Sequence, residues 1–147
     1  MNKAVIILVM SIFLFASCGN AGSPDPINFG SDLCAHCNMK IMDKRFGAEI
    51  LTSKGKAYKF DAAECMLDYM KSNNSDNAAY WVIDYNNPET LINAASAYYL
   101  ISMKIKSPMG EFLSCYKNSD AANESKSSNG GDVFDWKGLK TKFNVGR

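Results

Sequence analysis

Phe46-Gly-Ala-Glu-Ile-Leu-Thr-Ser-Lys-Gly-Lys-Ala-Tyr-Lys-Phe60-Asp-Ala-Ala-Glu-Cys-Met-Leu-Asp-Tyr-Met70 is the stretch that decides the fold. Residues 46–52 alternate weakly and stop at Ser53-Lys-Gly55, where glycine supplies the positive φ of a tight turn. Residues 56–60 resume an extended pattern, so the two segments predict a β-hairpin. Asp61 then reads as a helix N-cap, with Glu64 three residues on in a capping-box arrangement. Ala62, Cys65, Met66, Tyr69 and Met70 follow at helical spacing and form one apolar stripe, ended by the polar run 72–77. Residues 79–84 read as a buried returning strand, and Asn86-Asn-Pro88 closes the unit.

The same order recurs downstream. Residues 97–102 predict a strand, 104–110 a loop containing Pro108, and 111–116 the strand that returns. Asp120-Ala-Ala122 echoes Asp61-Ala-Ala63 and opens a polar helix to about residue 128, which Gly130-Gly131 ends. Residues 133–136 make a last strand before a Lys-rich tail. The expectation is an α+β domain over residues 31–147 built from two β-β-α-β units, about 46–85 and 96–137.

Upstream of the first unit lies Asp32-Leu-Cys-Ala-His-Cys-Asn-Met-Lys40. Cys34, Cys37 and Met39 crowd two thiols and a thioether into six residues, and polarizable sulfur selects Cu(I) over hard cations such as Mg2+ or Ca2+. His36, the only histidine of the chain, sits inside the same cluster, which sets hydrolase triads aside. A structural zinc site would need four ligands, usually in two close pairs, whereas Cys65 and Cys115 stand apart in the sequence. A redox pair belongs where a strand meets a helix N-terminus, and residues 38–45 do not begin a helix. Cys65 and Met66 on the apolar stripe read as compliant core filling, and Cys115 as a structural strand residue. Met109, in Ser107-Pro-Met-Gly110, is a thioether in a loop and so a candidate ligand or partner contact; Met42 is a reserve thioether or a core residue.

The N-terminus predicts export. Lys3, the apolar run 4–15 and the small residues before Cys18 form a signal-peptide pattern, too short for a membrane-spanning helix of about 20 residues. Phe15-Ala-Ser-Cys18 resembles a bacterial lipobox, so residues 1–17 are expected to be removed and Cys18 to carry lipid. Residues 18–30, rich in Gly, Pro, Asn and Ser, read as a tether. Formal net charge is +1, about zero once Lys3 leaves, and no basic stripe suggests nucleic acid as a partner. With Cys18 lipidated, four thiols remain, an even set that allows three disulfide pairings in an oxidising compartment.

Cys34-x-x-Cys37-x-Met39, Arg45-Phe46, Lys59-Phe-Asp61, Glu64-Cys-Met66, Tyr98-Tyr-Leu100, Ser107-Pro-Met-Gly110 and Gly130-Gly131 together resemble the NosL family. These are copper-binding lipoproteins, accessory to assembly of the copper centres of nitrous oxide reductase. The resemblance runs from about Asp32 to Phe143 and includes the lipobox. It implies two β-β-α-β units, similar to the metal-binding part of organomercurial lyase, and Cu(I) chaperone activity without catalysis. The family's Cys-x-Met maps onto Cys37 and Met39, and its Met-Gly loop onto Met109-Gly110. Asn38 stands where Gly is commoner, and Cys34, absent in some members, is either an auxiliary ligand or a disulfide partner.

The expected protein is thus a lipid-anchored, periplasm-facing Cu(I) metallochaperone of the cell envelope. Its partners would be a copper-receiving apo-enzyme or the machinery that assembles it. Cys37 and Met39 would receive the ion, Met109 or Cys34 would complete a third position, and His36 is a further candidate. Two other readings stay open. One is an enzyme, either a thiol-disulfide oxidoreductase or a thiol-dependent organometal-handling activity that needs two thiols and a carboxylate to converge. The other is a binding domain whose cysteines are merely cross-linked.

Overall fold

The structure, a computed structural model, describes residues 22–73 and 78–146. The signal segment and Cys18 lie outside the described residues. The expected hairpin pairs β1 (Ala48–Leu51) with β2 (Ala57–Phe60) in antiparallel register, from Ala48 opposite Phe60 to Leu51 opposite Ala57. Its turn uses Gly55 at φ +80°, and Thr52 Oγ1 accepts the Lys56 N–H at 3.0 Å. Helix α1 (Ala63–Ser72) follows, and β3 (Ala79–Ile83) returns antiparallel to β1 on its other side.

The second unit repeats the plan. Strands β5 (Tyr98–Ile101) and β6 (Leu113–Tyr116) form a hairpin, α2 (Ser119–Asn129) crosses, and β7 (Asp132–Asp135) returns beside β5. In both sheets the first strand is central, flanked by its hairpin partner and by the strand that follows the helix. The two-unit α+β architecture expected from the sequence is therefore the architecture found. Two elements are additions to it. Strand β4 (Leu91–Asn93) pairs with β3 at the edge of the first sheet, and α3 (Trp136–Lys142) follows β7 directly, where a Lys-rich tail was expected. Among the described residues no helix is long and apolar enough to cross a membrane.

All four residues of β1 are buried, which a central strand covered on both faces requires. Alternation sends Ala48 and Ile50 to one face and Glu49 and Leu51 to the other. Ala48 and Ile50 join the core that contains Cys65, Met66 and Leu67 of α1. The opposite face is covered by residues 22–30, within the stretch whose composition read as a tether. There the Asp25 N–H donates to both carboxylate oxygens of Glu49 at 3.0 and 3.1 Å, and Ile27 is buried beside Gly47. Lys59 on β2 pins this segment through Asp25 at 3.2 Å, Asp32 at 2.9 Å and the Pro26 carbonyl at 2.7 Å.

One local expectation fails. Ala62, not Asp61, is the N-cap of α1, and it offers no side-chain cap bond. Asp61 is buried and Glu64 turns into the protein, so the capping box is not formed. The polar groups that would have made it are used elsewhere.

Candidate metal centre

The loop between the docked N-terminal segment and β1 is a small antiparallel turn. Leu33 bridges Lys40, the Cys34 N–H donates to the Met39 carbonyl at 2.8 Å, and the Asn38 N–H donates back to the Cys34 carbonyl at 2.9 Å. Closing so tight a turn places Asn38 at φ +60°. Asparagine is among the few non-glycine residues that enter the left-handed region readily, so it keeps a turn that glycine would also make. Buried Ile41 and the bond from the Ala35 N–H to the Lys59 carbonyl, 2.8 Å, hold this loop against the core and β2.

Cys34 and Cys37 are therefore delivered to the start of α1, where they meet Cys65. The three sulfurs lie within 4.8 Å of one another, and Cys65 Sγ is 3.9 Å from Cys37 Sγ. Cys65 faces inward as a stripe residue should and is part of the core, as expected; what the sequence did not show is that it also faces the two sulfurs of the loop. It is the third residue of α1, so the cluster sits at a strand-to-helix junction. No helix follows Cys37, where a redox pair would need such a junction; α1 supplies it from a different part of the chain.

The electrostatics of the three thiols differ. The Cys65 thiol donates to Cys34, burial opposes ionisation, and the backbone N–H groups of Cys37, Asp61 and His36 also point at the Cys34 sulfur. Together they hold Cys34 well below the ordinary thiol range, as a thiolate. Cys65 is pushed up because its proton is shared with that thiolate and because it is buried. Burial raises Cys37 as well, partly offset by the Met39 N–H. A cation bound by all three sulfurs would displace the protons that the metal-free cluster holds.

Three sulfurs each about 2.3 Å from a common ion would stand about 4 Å apart in a plane, close to the observed spacing. Among the described residues no fourth His, Cys, Asp or Glu joins the group. That donor set suits Cu(I), which is content with two or three soft ligands, better than tetrahedral zinc. Cys34 and Cys65 are buried while Cys37 is half-buried, so the cluster is reached from the Cys37 side.

The remaining expected site residues are distributed around this centre. The Met39 side chain is 56% exposed, and His36 is exposed on the same turn. Met42 is also exposed, at 63%, and its N–H donates to the buried Asp61 carboxylate. Burial, with the nearby Cys34 and Asp43 charges adding to it, raises Asp61 above the usual carboxylate range despite that bond. Asp61 thus stands beside the thiols through its own N–H, a neighbour that sequence reasoning had placed at a helix cap.

Met109 is half-buried and packs against both hydrophobic clusters, where the sequence suggested a free loop. Its loop is tied to α1 by Glu64, which accepts from Ser107 and from the Leu113 N–H at 3.4 Å. Cys115 is buried in β6, outside the sulfur group, and all four described cysteines are free thiols. The cross-linked reading therefore has no disulfide among the described residues. The nearness of Cys65 and Asp61 to the other thiols is what the sequence reading missed; the signal available was a third cysteine five residues past the hairpin's end.

The NosL family model matches residues 27–143. A crystal structure of the copper chaperone NosL from Shewanella denitrificans superposes with a TM-score of 0.64 at 18% identity, covering 80% of this chain and 93% of that one. No curated protein sequence matches.

Proposed function

Because the chain belongs to the NosL family, we propose that it is a copper chaperone that carries Cu(I) on Cys34, Cys37 and Cys65 and surrenders it through the Cys37 side. The observation that carries this reading is the three-sulfur group at the lip of the first unit. Three sulfurs hold Cu(I) tightly without the fourth ligand that would lock the ion in place. Exposed Met39 and Met42 are weak thioether donors beside that lip, suited to passing the ion in or out. His36 is a further surface donor, and half-buried Met109 would need its loop to move before it could bind. The protein has no catalytic step in this scheme; copper is its cargo.

The finer parts of the proposal follow from the family. The acceptor is the apo-form of an enzyme of the nitrous oxide reductase type, or its assembly machinery. Cys18 carries a lipid that holds the chain at the periplasmic face of a membrane, with the domain docked from residue 22 onward. An anaerobic Cu(I) titration against a chromogenic chelator tests the centre. One tightly held equivalent that disappears in Cys37→Ala supports it; no tight binding by the reduced chain rejects it.

A further inference from the structure

The geometry points to a second chemistry at this centre: we propose that Cys37 and Cys65 form a reversible disulfide by exchange with low-molecular-weight disulfides such as glutathione disulfide. Their sulfurs are 3.9 Å apart and belong to different elements, a surface turn and the first turn of α1. A disulfide needs about 2.05 Å between sulfurs, so the closure is about 2 Å. Cys37 is the half-buried member and lies in the short turn 35–37, so it both meets the outside reagent and makes the movement. Cys34 is excluded as the partner. Its sulfur is held by the N–H groups of His36, Cys37 and Asp61, two of which belong to the turn that must move to carry Cys37 into a bond.

The exchange balances in two steps. The Cys37 sulfur attacks one sulfur of R–S–S–R, that S–S bond breaks, and the first RSH leaves with the Cys37 proton. The Cys65 sulfur then attacks Cys37 Sγ in the mixed disulfide, the bond to SR breaks, and the second RSH leaves with the Cys65 proton. Two protein thiols are oxidised, and one small disulfide is reduced to two thiols. The oxidised chain keeps Cys34 as the lone sulfur of the centre. On the copper reading above, from which this consequence follows, oxidation switches binding off.

The experiment uses the full chain carrying Cys18→Ser, reduced and then equilibrated anaerobically with glutathione disulfide. Free thiols are alkylated and the product is digested with trypsin. The expected product links the peptide ending at Lys40 to the peptide Phe60–Lys71. The link persists in Cys34→Ala and is lost in Cys37→Ala. A bond confined to the peptide ending at Lys40, a link that vanishes in Cys34→Ala, or no link at all overturns the proposal. Because the wild-type link and its survival in Cys34→Ala decide the matter, a Cys65 variant that failed to fold would not blunt the test. Parallel Cu(I) titrations separate the two readings. Reduced chain that binds and oxidised chain that binds at least about 100-fold more weakly support the switch. Equal binding by both forms overturns it, whereas a mapped disulfide with no binding by the reduced chain overturns the copper reading alone.

Discussion

The two β-β-α-β units share one backbone plan and differ at the front of their helices. In the second unit Asn118 caps α2 conventionally, its side chain accepting the Ala121 N–H at 2.9 Å. In the first unit Ala62 caps nothing, and the neighbouring Asp61 N–H points instead at the Cys34 sulfur. Where one unit satisfies its helix N-terminus with a side chain made for the purpose, the other leaves its N-cap without one and sets the Cys34 sulfur against the residue that precedes it. Burial follows the same division. The first five residues of α1, Ala63 to Leu67, are buried, because α1 packs on β1 and β2 and also on β6 of the other unit. Helix α2 buries only Ala122 and keeps a Ser- and Asn-rich face to solvent. A repeated unit can carry chemistry in one copy when a preceding loop, here 32–41, covers one helix start and leaves the other open.

The largest effect expected from this asymmetry is on copper. Cys65→Ala should weaken Cu(I) binding by about 1000-fold, about 4 kcal/mol, since it removes a donor rather than a supporting contact. Cys115→Ala, the buried thiol of the second unit, should leave the affinity unchanged. Equal losses from the two substitutions in a chelator competition would mean that the centre is not confined to the first unit. The opposite dissociation is expected at Gly131. It sits at φ +96°, and a β-carbon there would overlap the Ile101 carbonyl oxygen of β5. Gly131→Ala should cost roughly 3–4 kcal/mol in a denaturant titration while the folded fraction binds copper as before. A loss under about 1 kcal/mol would show that α2 and β7 can part without disturbing the sheet.

What was legible in the sequence divides along similar lines. The hairpins, α1 and the second unit could be read because each depends on local signals: Gly55 in a turn, a 3.6-residue stripe, Gly130 after a helix. Strand β4 could not, because Leu91-Ile-Asn93 is too short to show alternation. Helix α3 was hidden by Gly138 in its first turn. Its cap was nevertheless present in Asp135, whose carboxylate accepts the Gly138 N–H at 2.7 Å. Cys65 marks the physical limit. Periodicity reports that a side chain faces inward, not what it will face, and the partners came from a loop more than twenty residues upstream. The resemblance named Cys34 and Cys37 because they carry a local motif. The third sulfur depends on how β2 meets α1, which is tertiary.

Glu64 gives the comparison a pH axis. Burial pushes its carboxyl up to about 7 from an ordinary 4.5, against the bonds from Ser107 and Leu113, and Oε2 has no partner. The folded state therefore holds a proton that the unfolded state releases above pH 4.5. This contribution is full below that pH and is lost as pH rises through 7. The shift corresponds to at most about 3–4 kcal/mol. Glu64→Gln, which keeps the donor-accepting oxygen without the charge, should flatten the fall in stability of the metal-free chain between about pH 5 and 8. If the fall is as steep in the variant as in the parent, the carboxyl is not the group that titrates.

The smallest effect is the most direct probe of the helix fronts themselves. Asn118→Ala removes the cap of α2 and should cost about 1 kcal/mol. In the first unit the corresponding loss is made by Cys34→Ala, which leaves the Asp61, His36 and Cys37 N–H groups without their sulfur in a buried setting. Buried donors without partners cost more than exposed ones. Cys34→Ala should therefore destabilise the metal-free chain by more than Asn118→Ala does, even though a cap is normally the stronger stabiliser and a cysteine the more replaceable residue. Denaturant titrations of the two variants at the same pH settle the order. The reverse ranking would mean that these three N–H groups do not depend on the sulfur for a partner.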